Sequence, residues 1–412
     1  GEPIQNAVIV IEGERIKEVG SEGKVSVPAG AEVIDMGECT LTPGLIDAHM
    51  QASIRRFCRN QSTARFLVPP QLQEFYALLH FQICFESGIT MVRECGTRTM
   101  YGVASTAENV GIRNAINIGL VPGPRVLVGG FCLPTNSHLS EPYSYFQVSP
   151  ELTADGADEM RKLARRQLRM QADFLKACAS GGGGTDKDSP EEINGTVEEL
   201  TVIAEEAHRS GRYCACHCHN AEAEKMAVRA GFDTIEHCVF TDDEAIAMIR
   251  DANKLVTPTL AHRTDEAIEE AARGGATEFT IAKQRRIQSF CYETFRKMHE
   301  AGVRLAMGTD VGVDAGTHEI ELYVKLGMTP MEALQSATKV AAEACWLGNE
   351  TGTLDVGKYA DIVAVNGDPL QDIKVYQDRE NIRLVMKEGM VYIDKRPGHE
   401  RYVIHNWNWK VV

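Results

Sequence analysis

Three polar side chains stand at alternate positions at the end of one apolar stretch: Asp47, His49 and Gln51 in TPGLIDAHMQ, residues 42–51. Pro43-Gly44 breaks local structure just before it. On a strand, alternate side chains share a face, so these three would point the same way. Other short apolar runs lead to groups of the same kind: His138, Lys176, His217 with His219, His237 and Asp310. A single histidine in such a place is ordinarily a satisfied core or surface residue. Several at the ends of different strands favour a metal site instead. Imidazole nitrogen with carboxylate oxygen suits zinc, manganese, cobalt or iron. Lys176 is the odd member, since a buried lysine is costly unless paired or modified. It is either a snorkelling or ion-paired lysine, or a carboxylated one whose two carbamate oxygens bridge two metals.

Those residues need strands to carry them. After Leu45-Ile46, buried strands are read in GITMVREC (88–95), PRVLVGGFC (124–132), DFLKACAS (173–180), RYCACHCHN (212–220), DTIEHCVF (233–240), KLVTPTLAH (254–262) and VRLAMGTDVG (303–312). Helical patterns lie between them, several closing on glycine at Gly211, Gly231 and Gly302. Strands alternating with helices predict an α/β fold, a (β/α)₈ TIM barrel, whose chemistry sits at the C-terminal strand ends. Beyond Asp310 come two helical segments, HEIELYVKLG and TPMEALQSATKVAAEACWLG, the second opening on Thr329-Pro330. β texture occupies both chain ends, with a hairpin signal around Glu12-Gly13 and strands in GTLDVGKYADIVAVNGDP and IRLVMKEGMVYI. The division expected is a composite β-sandwich from 1–42 and 352–412 around a barrel at 43–351.

Bulk composition sets limits. The 412 residues are 43% hydrophobic, ample for a large core. Net charge is −15, from 43 Lys and Arg against 58 Asp and Glu, which argues against nucleic acid or an anionic membrane as partner. No apolar run approaches the roughly 18 residues of a membrane span. No charged segment followed by an apolar one opens the chain, and a cytoplasmic protein is expected. The twelve cysteines read as reduced buried thiols rather than a disulfide scaffold.

Three other motifs weigh less. CACHCH at 214–219 suggests zinc, but alternation sends Cys214, Cys216 and Cys218 away from the histidines, and the cysteines stand too close together. SGGGGTDKD at 180–188 lacks the ending of a phosphate loop and reads as a flexible active-site loop. Arg55, Arg56 and Arg59 follow the first strand, where Arg55 could bind a substrate carboxylate.

The chain resembles the metal-dependent amidohydrolase superfamily and, within it, the imidazolonepropionase-like group that includes prolidases. The resemblance is carried by LTPGLIDAHMQ, GITMVRECG, ADFLKACASGG, HCHNAEAEKMAVRAGFDTIEHC, MGTDVG and GTLDVGKYADIVAVNGDPLQDI, together spanning nearly the whole chain. It implies one or two divalent ions, zinc first. His49 would ligate the more buried one, carboxylated Lys176 would bridge, and His217 and His237 would hold the second. Asp310 would be both ligand and general base. His138 and His219 would contact substrate. Where the family has His-x-His on the first strand, this chain has His49-Met50-Gln51. An amide oxygen is a weaker donor, so the readings are a pair of ions with Gln51 as ligand, a single ion, or a non-catalytic relative. The activity implied is hydrolysis of a C–N bond in an N-acyl amino acid or dipeptide-like small molecule by metal-activated water. A urea, carbamate or cyclic amide is the alternative substrate, and a homo-oligomer is expected.

Overall fold

A computed structural model describes residues 2–52, 70–96, 98–99, 102–103, 106–138, 152–184, 188–311 and 315–404. Eight parallel strands form one sheet: β1 (Leu45–Met50), β2 (Ile89–Glu94), β3 (Arg125–Phe131), β4 (Phe174–Cys178), β5 (Tyr213–Asn220), β6 (Thr234–Phe240), β7 (Leu255–Thr257) and β8 (Arg304–Leu305). They pair in chain order, each with the next. The sheet curls back on itself. Ala48 N–H donates to Met307 O at 2.9 Å and Thr309 N–H to His49 O at 3.0 Å, laying the segment after β8 against β1. This is a TIM-like α/β arrangement, and every residue of β1, β2 and β4 is buried. Burial on both faces explains why these strands read as continuous apolar runs.

Local signals in the sequence do what their chemistry dictates. Thr329 caps the helix Pro330–Ser336 and shares a capping box with Glu332. Gly231 ends the helix Ala221–Ala230 at φ 94°, a conformation glycine adopts without penalty. One stretch differs from expectation. TPMEALQSATKVAAEACWLG forms two helices, Pro330–Ser336 and Lys339–Ala344. The break falls where the barrel takes over the backbone: the carbonyl of Ser336 accepts Met307 N–H at 2.9 Å, and that of Ala337 accepts Ile46 N–H at 2.7 Å. Thr338, between the two helices, is non-helical, at φ −131° and ψ −88°.

Strands from the two chain ends join one sheet. Thr40–Pro43 pairs antiparallel with Ile362–Val365, which pairs with Ile382–Lys387, which pairs with Met390–Asp394. The hairpin Ala7–Glu12 and Arg15–Ser21 packs with it, Ile9, Ile11 and Ile16 sharing one apolar cluster with Leu41, Ile362 and Leu384. Arg125 of β3 ties this unit to the barrel through Asp361 at 2.7 Å and Glu388 at 2.6 Å. Among the described residues every cysteine is free, and no helix is long and apolar enough to cross a membrane.

One buried carboxyl gives the fold a pH signature. Glu224, on the helix Ala221–Ala230, accepts a hydrogen bond from Thr241 Oγ1 at 2.8 Å. Burial pushes its carboxyl up to about 8, with Asp242 adding to the shift and Thr241 and Lys225 opposing it. A raised folded-state value favours the protonated form, so this contribution is complete below the ordinary carboxylate range and is lost as pH rises through about 8. Glu224→Gln is neutral throughout. Urea unfolding at about pH 6 and about pH 9 should show a smaller loss of stability between the two in this variant than in the wild type.

Candidate metal centre

The strand ends bring the chemistry together. His49, Gln51, His138, Lys176, His217, His219, His237 and Asp310 all line one cavity of about 760 Å³. Arg55, Arg56 and Arg59 lie outside the described residues. The rings are close-packed: centroids of His217 and His219 are 4.5 Å apart, His217 and His237 4.6 Å, His49 and His237 4.9 Å, and His138 and His217 4.8 Å. Ligand atoms of His217, His219 and His237 fall within 4.8 Å of one another, and so do those of His49, His237 and Asp310. His237 belongs to both sets. A third set, His208, Cys214 and Asp233, involves the start of β5, where Asp233 is already occupied by the Cys214 N–H and His208.

Left-handed backbone at non-glycine residues concentrates here. His237 has φ 75°, Thr259 φ 54° and Asp310 φ 61°. Such conformations are uncommon and persist where surrounding contacts enforce them. Strand alternation would put Glu236 and His237 on opposite faces. The turn at His237 breaks that rule, and both side chains reach the barrel interior.

Each ring is oriented by a partner. His49 Nδ1 lies 2.6 Å from Glu236 Oε2, so the proton sits on Nδ1 and Nε2 is left facing Asp310 Oδ1 at 3.3 Å. Glu236 is held by Arg93 Nη2 at 2.8 Å and by Thr234 Oγ1 at 2.6 Å. Burial works against the charge on Glu236, but Arg93, Lys176 and His49 outweigh it and keep the carboxyl ionised far below its usual range. His217 Nε2 donates to Gly181 O at 3.2 Å, which leaves Nδ1 as the lone pair. His237 Nδ1 stands 2.7 Å from Thr259 Oγ1. Burial, and then neighbouring positive charge, holds His217, His219 and His237 well below the ordinary imidazole value, so they are neutral donors. The Asp310 carboxyl is also held well below its ordinary value, which for an acid means ionised: burial opposes its charge, and the neighbouring His49 and Arg263 overcome that.

Among the buried side-chain atoms of the described residues that have no hydrogen-bond partner are four of this cavity: Lys176 Nζ, His219 Nδ1, His262 Nδ1 and Asp310 Oδ1. An ammonium group without an acceptor in such a place costs several kcal/mol, roughly 2–7 for an unbonded polar group and more for a charge. Neutral imidazoles, an ionised carboxylate and an unsatisfied lysine form a donor set that fits divalent metal ions.

Several of these contacts are absent from a reading of sequence. Asp47 shares its strand with His49, yet its carboxylate is taken by Thr309 Oγ1 at 2.7 Å and by the N–H groups of Thr309 and His49, both at 3.1 Å. Glu236 and Arg93 carried no local signal. His262 did, as the last residue of KLVTPTLAH; it lies 3.5 Å from Asp310 Oδ2, and burial with Arg263 pushes it down to about 3. The described part of the glycine-rich segment, read from sequence as a flexible active-site loop, packs on the site. Asp188 binds His138 Nδ1 and accepts Gly182 N–H at 2.7 Å, and a Cβ on Gly182 would lie 2.0 Å from the His138 ring.

A TIM-like sheet with imidazoles, a lysine and an aspartate at its strand ends is the architecture of a metal-dependent hydrolase. Residues 40–391 match the model of the Amidohydrolase family, and the chain belongs to that family. Ochratoxinase of Aspergillus niger is 30% identical over 432 residues, covering 97% of this chain and 85% of that protein. Its solved structure superposes with a TM-score of 0.78 at 28% identity, over 97% of this chain and 93% of that one. A Xaa-Pro dipeptidase with methionine bound in its active site gives a TM-score of 0.83 at 28% identity, over 94% of both chains.

The support beneath His49 is open to test. Arg93→Met leaves the Glu236 carboxylate buried without its cation. We expect a loss of about 3–5 kcal/mol in urea unfolding, the range for breaking a buried pair from one side. Arg93→Met combined with Glu236→Leu should lose less than Arg93→Met alone.

Proposed function

We propose that the protein hydrolyses a C–N bond, the amide of an N-acyl amino acid or dipeptide-like compound, with divalent metal ions held at the barrel mouth. The observation that carries this reading is Lys176 Nζ, buried without a partner beside neutral histidines. His49, Lys176, His217, His237 and Asp310 would hold the metal, zinc by preference, with Lys176 carboxylated and Gln51 offering its amide oxygen. When bound, such a metal polarises a carbonyl and acidifies water. Asp310 is ionised and so accepts the proton of the attacking water and passes it to the leaving nitrogen. His138, its ring fixed by Asp188, meets the substrate carbonyl. His219 turns an unpartnered Nδ1 to the substrate. In this reading 43–351 is the catalytic unit, and 1–42 with 352–412 its companion β domain.

Elemental analysis of protein purified without chelator tests the ligand set. About two ions per chain are expected, falling sharply in Lys176→Ala. About one ion, retained in the variant, would remove the bridged pair and leave a mononuclear enzyme. No metal together with no turnover of any N-acyl amino acid would end the enzymatic reading. In a metal-loaded active enzyme, Asp310→Asn should lower kcat by about 10²–10⁴-fold, measured as release of the free amino acid.

A further inference from the structure

Among the described residues, the buried Arg93 and Arg113 and the half-buried Arg125 pair with carboxylates: Glu236, Asp173 and Asp361. Arg263 is the exception. It is 4% exposed, yet among the described residues its guanidinium has neither an ion pair nor a hydrogen bond. It lines the same cavity as the histidines.

Its position is built rather than incidental. Arg263 ends the short turn Ala261–Arg263 beyond β7, and its N–H donates to Leu260 O at 2.8 Å. Glu319, wholly buried, accepts the N–H groups of Leu260 at 2.7 Å and Ala261 at 2.5 Å, which pins that turn. Gly183 leaves room beside it: a Cβ there would lie 2.6 Å from Ile287 Cδ1, 2.9 Å from Nη1 and 3.4 Å from Nη2 of Arg263. The charge is felt at the reacting centre, since Arg263 helps keep Asp310 ionised and His262 neutral. Among the described residues no carboxylate pairs with this cation, whose fork-shaped donors line the cavity. A planar carboxylate satisfies that fork with two parallel hydrogen bonds.

We propose that Arg263 is the carboxylate-binding residue of this site, receiving the carboxylate that sits next to the scissile amide on the amine side of the substrate. The identity of the scissile bond rests on the hydrolase reading above; the anion site itself does not. Arg55, for which the sequence suggested the same role, lies outside the described residues.

The test compares N-methanesulfonyl-L-amino acids with their C-terminal carboxamides, whose S–N bond resists amide hydrolysis, by calorimetry on the purified protein. The wild type should bind the carboxylates about 100-fold or more tightly than the carboxamides. Arg263→Met should reduce carboxylate binding to the carboxamide level and leave carboxamide binding unchanged, while Arg263→Lys recovers part of the preference. Gly183→Ala, which crowds the guanidinium without altering charge, should weaken the carboxylates selectively and serves if Arg263→Met fails to fold. Equal loss for both members of each pair, no preference in the wild type, or no binding across the panel overturns the inference. Hydrolysis of the matching N-acetyl compounds is followed separately. Charge discrimination without turnover keeps the anion site and removes the hydrolase reading; turnover without discrimination does the reverse.

Discussion

One guanidinium, sealed inside the barrel, holds the site in register. Arg93 donates to the carbonyl of Ala48 on β1, to Thr234 Oγ1 and Glu236 on β6, and to Thr257 Oγ1 on β7. It reaches Ala344 O as well, at the end of the last helix before the C-terminal β unit. A charge in that place is tolerable only because every direction offers an acceptor. Glu236 then passes the constraint upward to His49, and His49 to Asp310. The ring that meets the cavity is therefore set by a residue that never touches it.

Above this base the backbone is bent rather than relaxed. His237 within β6, Thr259 beyond β7 and Asp310 beyond β8 are all left-handed. Asp47 and Thr309 clamp β1 to the segment after β8, which carries Asp310. Closing the sheet and placing the aspartate are thus one event. The same economy shows in the turn at 261–263, where a single buried Glu319 fixes the backbone that carries both His262 and Arg263.

The parts of this molecule governed by nearest neighbours could be read directly. Apolar runs gave the strands, threonine and glycine gave the helix ends, and histidines at strand ends marked the cavity. What escaped was decided across the chain. Thr234 is a near neighbour of Glu236, but its charged partner Arg93 and the ring it orients, His49, are 143 and 187 residues away, and no local pattern records them. Alternation along β6 would put Glu236 and His237 on opposite faces, and two successive left-handed residues, His237 and Cys238, break it. Asp47 kept its face but lost its lone pairs to Thr309. His262 stood in plain view at the end of an apolar run, yet its strand stops at Thr257 and a short turn carries the ring to Asp310.

The alternation in YCACHCHN on β5 sorts donors by softness. His217 and His219 line the cavity, whereas Cys214, Cys216 and Cys218 are buried in the apolar core, with burial raising the thiols of Cys214 and Cys218. Sulfur, the donor that thiophilic ions such as copper(I) prefer, stands one residue from imidazole but on the far side of the sheet. A slip of one residue in pairing would exchange the two faces. The hydrogen-bond register of β5 against β4 and β6 therefore acts as a filter on which element the cavity can capture, enforced by pleat geometry rather than by any ligand's affinity.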